Sequence, residues 1–319
     1  MKKFFVDIII IILIVMLIIS ILVISFYCLI PDQYEPNYVE SMWDKYNRLK
    51  SINEPKIVLI GDSNLAFGIN SEIIQNEIGI PVVNMGLHGG LGNDVQTRLA
   101  MSNVNEDDLY VICYTDYAQT KDISQKDLTL IMLSRHRELW DTLSFRQKVE
   151  LLPAIPDYMF NSMSFYLSRR GNEPVQDSDL DYAHISFNEY GDNTARVLGN
   201  DIFDADKIQS EIGSISDETI ENIQYWKTYC EEHGATLVLA GYPIVRTANM
   251  PGDSEFVEYG MLLSQETGCI NISDFSEYIM DPTYFYDSQF HLTLDGAEHR
   301  SKLLASDINK YMGNYSDDI

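Results

Sequence analysis

Basic residues are the first shortage: 22 Lys and Arg stand against 48 Asp and Glu, a formal charge of −26. An acidic surface repels phosphate backbones, so nucleic acid is excluded as a partner of the bulk surface. The only adjacent arginines, Arg169-Arg170, make no basic run for a polyanionic substrate. Cysteine is also scarce, with Cys28, Cys113, Cys230 and Cys269. Their spacing contains no Cys-x-x-Cys or Cys/His pattern, so no metal site is expected. Cys28 lies in an apolar segment and Cys113 in a strand-like run, where it serves as a small apolar residue. A Cys230–Cys269 bridge is the one remaining intrachain option, with nothing in the spacing to favour it. There is no internal repeat, and no cofactor motif.

Long apolar runs are missing too, with one exception. Ile8–Ile30 holds 23 residues without a charge, after Lys2-Lys3. That length spans a bilayer. A cleaved signal peptide would have a shorter apolar region and small residues at its end, whereas this run ends at Leu29-Ile30-Pro31-Asp32. An uncleaved signal anchor is therefore expected. The two lysines keep its N-terminus in the cytoplasm and the rest of the chain outside the cell membrane.

What is present is a strand–helix alternation. Lys56–Ile60, Pro81–Gly86 and Asp107–Tyr114 read as buried strands, with helices near Ser71–Gly79 and Asp94–Asn103 between them. Ser71 is the expected cap and Gly79 the expected stop of the first helix. From about Thr120 to Ser214 no buried strand stands out. Ile123–Trp140 and Leu143–Leu152 look helical, and Pro153, Pro156 and Pro174 punctuate the chain beyond them. The rhythm resumes with a helix from Asp217, capped by Ser216, a strand at Thr236–Ala240, a helix near Ser254–Thr267 and a short strand at Cys269–Ile272. A last helix carries Leu304, Ile308 and Met312 on one stripe. The expected fold is α/β, three layers around a parallel, flavodoxin-like sheet, with an N-terminal transmembrane helix and a mainly helical insertion. The expected division is a stub and anchor at 1–31, a connector at 32–54, one domain at 55–313 with its insertion at about 120–215, and a tail at 314–319.

The chemistry is expected where the first strand ends, in Ile60-Gly61-Asp62-Ser63-Asn64. Gly61 permits a sharp turn. Ser63 then sits past the carboxyl end of a parallel strand, where open sheets bind ligands. A serine nucleophile needs a base. Near the other end stands Asp287-Ser288-Gln289-Phe290-His291-Leu292-Thr293, ahead of the last helix, with Thr293 its plausible N-cap. Of the other histidines, His88 lies in the glycine-rich run Leu87–Gly92, where it could line the site, although a surface-turn residue is the favoured expectation. His136, His184, His233 and His299 have no partner pattern. The 20 tyrosines are expected in ordinary core and surface roles.

In their order and placement, Gly61-Asp62-Ser63 and the Asp287/His291 loop resemble the SGNH (GDSL-type) hydrolase superfamily. The resemblance implies a Ser63–His291–Asp287 triad and an oxyanion hole from the Ser63 and Gly86 amides, with Asn93 or Asn64 as a further donor. Three departures stand out. Acid and histidine are four apart rather than three, Thr293 replaces an asparagine, and Asp116 occupies roughly the place of the superfamily's oxyanion asparagine. Membrane-anchored members of this kind look like partners of membrane-bound O-acyltransferases, including those that D-alanylate teichoic acid. The resemblance implies three functions: acyl transfer or deacylation on a cell-envelope or secreted glycopolymer through an acyl-Ser63; a stand-alone extracellular carbohydrate or lipid esterase; or a non-catalytic anchored binding or assembly protein. None of them needs a metal or cofactor.

Overall fold

The computed structural model describes residues 2–169, 180–196, 204, 207–208 and 210–316. The long apolar run forms helix α1 (Lys2–Leu29). Most of it touches nothing; among the described residues it is the one helix long and apolar enough to cross a membrane. Its last turns differ, because Phe26 and Ile30 are buried against the rest of the chain. Helix α2 (Ser41–Ser51) comes next, burying Met42 and Leu49.

The β-branched run at Ile57–Ile60 becomes strand β1, fully buried. Helices α3 (Ser63–Ala66) and α4 (Ser71–Ile78) lead to β2 (Val82–Asn84). Gly79 stops α4 in the left-handed region, at φ +79°, as expected. The cap is Asn70 rather than Ser71: the Asn70 side chain accepts from the Ile73 amide, while the Ser71 hydroxyl donates to Asp192. Helix α5 (Asn93–Ala100) precedes β3 (Leu109–Ile112).

The expected insertion contains α6 (Lys126–Leu133), α7 (Arg137–Thr142), α8 (Phe145–Leu151) and α9 (Ile155–Ser168). Pro156 does not break the chain. It sits in the first turn of α9, where a missing N–H leaves no hydrogen bond unmade. Pro174 and the other undescribed parts of this stretch, like 317–319, lie outside the described residues. Helix α10 (Asp217–Glu232) is capped by Ser216, whose hydroxyl accepts from the Thr219 amide. Then come β4 (Thr236–Leu239), β5 (Ile244–Val245), α11 (Asp253–Thr267), β6 (Ile270–Asn271), β7 (Ile279–Met280) and α12 (Leu294–Ser316).

One five-stranded sheet runs β2-β1-β3-β4-β6, every pairing parallel. β5 and β7 form a separate parallel pair that alternation alone did not suggest. Successive strand residues point to opposite faces, and they enter two different apolar clusters. Val58, Ile60, Tyr110 and Ile112 pack with residues of α2, α5, α10 and α11. Ile57, Leu59, Val111 and Val238 pack with Ile74 of α4 and with Leu304 and Ile308 of α12. Burying each of those large aliphatic side chains contributes about 1.5–3 kcal/mol. At the amino end of β1, Lys56 and Asp108 form an ion pair of 2.6 Å, both side chains sealed from solvent. Asp108 also accepts from the Lys56 and Asn105 amides, so its lone pairs are used and the register of β1 against β3 is fixed. All four cysteines are free, and Cys230 and Cys269 do not bridge.

Candidate active site

Ser63 opens α3 immediately after β1. Asp62 is the N-cap: its Oδ1 accepts from the Asn64 amide at 2.8 Å and from Asn64 Nδ2 at 2.7 Å. Its Oδ2 accepts from the Thr115 hydroxyl, at the end of β3. Asn64 Nδ2 also donates to the Cys113 carbonyl at 2.9 Å. The turn that presents Ser63 is thus tied to the neighbouring strand at two points. Gly61 is required by packing: a Cβ there would lie 2.8 Å from Leu65 and 3.0 Å from the Cys113 carbonyl.

The loop before α12 meets α3 from the other side. The Leu292 amide donates to the Phe67 carbonyl at 2.8 Å, and the His291 ring stacks on Phe67 with centroids 4.6 Å apart. Phe67 lies one helical turn beyond Ser63 and donates its own amide to the Ser63 carbonyl. His291 Nδ1 and Asp287 Oδ1 are 2.7 Å apart. The extra residue relative to the three-residue spacing is therefore absorbed, and the carboxylate still reaches the ring. His291 Nε2 has no hydrogen bond among the described residues, and neither has Ser63 Oγ. The two are not hydrogen-bonded to each other. Catalytic hydrogen bonds often tighten only when substrate is present.

Three side chains that sequence spacing did not single out support this loop. The Tyr182 hydroxyl, from the insertion, donates to Asp287 Oδ2. Arg196, buried, donates to the Leu292 carbonyl at 2.6 Å and the Asn193 carbonyl at 2.8 Å, with its guanidinium 5.6 Å from the Phe67 ring centre. Burial pushes Arg196 down to about 10, against the pull of Asp192 and Asp287. Arg300 of α12, also buried, donates to the Asn64 carbonyl and to Asn64 Oδ1, each at 2.8 Å. Apart from the Arg196–Asn193 bond these contacts are long-range, and they leave no local pattern in the sequence.

Burial alone would raise the Asp287 carboxyl, but the hydrogen bond and charge of His291 and the bond from Tyr182 outweigh it, and the group lies below its usual value of 3.8. Stability from this pair is then fully present above pH 3.8 and is lost as pH falls through the lower folded value. The melting-temperature gap between the parent protein and Asp287→Asn should hold steady from about pH 7 to 5 and close below about pH 4. A gap unchanged down to about pH 3 would contradict the depressed carboxyl. Removing the second donor with Tyr182→Phe should slow any reaction at Ser63 by about tenfold, or ~1.4 kcal/mol. Stopped-time labelling with a serine-reactive probe measures this, and an unchanged rate would leave Tyr182 without a role.

A cavity of about 600 Å³ opens over Ser63, lined also by Asp62, His88, Gly89, Gly90, Thr115, Asp116, Gln119, Gln125, Gln289 and Phe290. His88 is therefore at the site rather than on a surface turn. Its Nδ1 accepts from the Gly90 amide at 2.8 Å, and burial lowers its pKa, opposed by Asp62. Of the expected oxyanion donors, Ser63 lines the cavity, while Gly86, Asn93 and Asn64 are engaged with other partners. The Gly86 amide donates to Asn84 Oδ1 at 3.0 Å, and a Cβ at Gly86 would come within 2.5 Å of Leu65 Cβ. Gly86 is there because α3 packs on it. Asn93 is buried and off the cavity, its Nδ2 donating to the Asp116 carbonyl at 2.9 Å. Both amide hydrogens of Asn64 are engaged as described. Ser63 and Gly89 both line the cavity, and neither backbone amide has an acceptor among the described residues. Asp116 points its Oδ1 at the Ala118 amide, 2.8 Å away. The distant histidines find partners after all: His136 meets Glu40, His184 meets Asp44 at 2.7 Å, and His233 meets the Tyr229 carbonyl. No cluster among the described residues could hold a metal ion.

No known family model, curated protein or solved structure matches this chain. The functional reading rests on this geometry.

Proposed function

We propose that the protein is an SGNH-type serine acyltransferase or esterase acting outside the membrane on an acylated cell-envelope or secreted glycopolymer. The observation that carries this is the oriented imidazole: Asp287 holds His291 Nδ1, the ring is clamped on Phe67, and Ser63 lies one turn away at the floor of a polar cavity. The sheet order β2-β1-β3-β4-β6, with helices packed on both clusters, fits a three-layer, flavodoxin-like arrangement, in which ligands sit at strand carboxyl ends.

In this mechanism Ser63 Oγ attacks the acyl carbon while His291 Nε2 takes its proton. The carbonyl π electrons move to oxygen, and the Ser63 and Gly89 amides are the donors we assign to that oxyanion. Collapse expels the alcohol, which takes the proton back from the imidazolium, and leaves an acyl-Ser63. Water or a sugar hydroxyl, deprotonated by His291, then releases the acyl group. Asp287 stabilises the imidazolium and keeps the tautomer that leaves Nε2 free to accept. The lining sets Gln119, Gln125 and Gln289 beside Tyr242, Pro243, Ile244 and Val245, which suits a hydroxyl-bearing substrate that carries an apolar acyl group. With Lys2 and Lys3 cytoplasmic, α1 is a single-pass anchor and the site faces the envelope.

A second reading, partner-dependent transfer or binding without free-standing catalysis, is favoured by one observation: Ser63 and His291 are not yet hydrogen-bonded. The full chain in nanodiscs, incubated with an O-acetylated polysaccharide, separates the two. Release of acetate by the parent and none by Ser63→Ala supports the enzyme. Acetate release that survives Ser63→Ala contradicts it.

A further inference from the structure

Helix α9 has two apolar sides. One is satisfied: Tyr158 packs on Phe26 of α1, with ring centres 5.8 Å apart, and on Tyr34 at 6.3 Å. The other is bare. Phe160, Met163 and Leu167 follow an i, i+3, i+7 spacing and so share a stripe, and Phe160 and Leu167 are 73% and 64% exposed. Preceding α8 and the turn that follows it carry a like pattern at Phe145, Val149 and Leu152, all exposed. Single exposed apolar residues are ordinary, but grouped ones mark a surface that something covers.

The position of α9 says what covers it. The apolar span Lys3–Leu29 has 27 residues, about 40 Å of helix at 1.5 Å each. The hydrocarbon core is about 30 Å thick, so roughly the last two turns reach the outer headgroup layer. Those turns are the ones that α9 grips, through Phe26. The charge pattern agrees. Residues 126–169 carry six of the chain's 22 Lys and Arg but only five of its 48 Asp and Glu, so this stretch is net +1 in a chain of −26. Arg135 lies over the Phe26 and Tyr27 rings, 4.8 Å from each. Arg169 ends α9 over Phe165. Neither makes an ion pair with a carboxylate among the described residues. Tyrosines and arginines around an apolar stripe at the end of a span are what a headgroup layer accommodates.

We infer that α9 lies in the outer lipid–water interface, with Phe160, Met163 and Leu167 in the acyl boundary and Arg135 and Arg169 toward lipid phosphates. This rests on α1 being inserted. Together α1 and α9 would hold the domain at a fixed tilt instead of on a free tether, and so set the height of the Ser63 cavity above the bilayer.

The test uses the full chain in vesicles of phosphatidylcholine and phosphatidylglycerol at about 3:1, at high lipid-to-protein ratio. The exposed cysteine is removed by Cys28→Ser. One cysteine at a time is then added by Phe160→Cys, Leu167→Cys, Ile18→Cys or Met261→Cys and labelled with NBD, with Cys113, Cys230 and Cys269 buried; Met261 is an exposed residue of α11. Quenching by doxyl-labelled lipid at 160 and 167 should exceed that at 261 by about twofold or more, since interfacial helices sit ~5–10 Å into the boundary. Quenching at 18 but not at 160 or 167 overturns the inference. A blue-shifted label there without lipid quenching also overturns it, because another copy of the chain then covers the face. Loss of quenching at 18 as well overturns both this inference and the membrane span.

Discussion

Replacing Ser63 with alanine is expected to abolish labelling by a fluorophosphonate probe, and His291→Ala to slow it by about 10³-fold or more. The reason is the fate of one proton. A serine hydroxyl is a weak nucleophile until a base takes its proton, and the imidazole that is held by a carboxylate and stacked on Phe67, one turn beyond Ser63, is His291. Once either residue is lost, removing the other should do little more, because the two act as a unit. The double variant should therefore react no more slowly than Ser63→Ala. His88 is the control, since it lines the same cavity but accepts from the Gly90 amide through Nδ1. If His88→Ala were the variant that lost labelling and His291→Ala were not, the assignment of the base would be reversed.

Arg300→Met is the second large effect, and it falls on stability. Arg300 is fully buried and reaches from α12 to α3, where it satisfies the Asn64 carbonyl and side-chain oxygen. Burial lowers its pKa, with the nearby Cys113, Tyr278 and Asp62 groups opposing. Methionine fills much of the volume but leaves at least two buried acceptors bare, at about 1–3 kcal/mol each. The expected loss is about 3–5 kcal/mol, or on the order of 10 °C in melting temperature for a domain of this size. Arg300→Lys should recover only part of it, because one ammonium cannot reproduce the guanidinium fork. Thermal unfolding of the three proteins in one detergent reads this directly. A change within about 1 °C for Arg300→Met would mean that the α3 turn does not depend on α12.

These two expectations draw on different kinds of legibility. The turn that carries Ser63 and the loop that carries Asp287 and His291 could be read in the sequence because both are local patterns, and the strands at Ile57–Ile60 and Thr236–Leu239 fell where apolar runs met glycine or turn residues. The stripe of Leu304 and Ile308 was likewise visible from its spacing, and both residues are buried. Arg300, Arg196 and Tyr182 were not visible. Each acts on a residue far away along the chain, and an arginine in a sequence looks solvated until its acceptors are known. Gly86 illustrates the converse. The family resemblance implied a free Gly86 amide for an oxyanion, but Asn84, two residues earlier, folds back and takes that amide. Helix α9 was obscured for a simpler reason: Pro156 reads as a breaker unless it is known to sit in a first turn.

The proposal concentrates the chemistry in one covalent event, so the most direct measurement is the mass of the protein after a brief exposure to an activated ester. The full chain in nanodiscs would be mixed with p-nitrophenyl acetate, quenched in acid within the first turnover, digested and examined by peptide mass spectrometry. The account predicts an acetyl group on the peptide containing Ser63, absent in Ser63→Ala and reduced strongly in His291→Ala. An acetyl group that appears on another residue, or to the same extent in the His291→Ala protein, would contradict it.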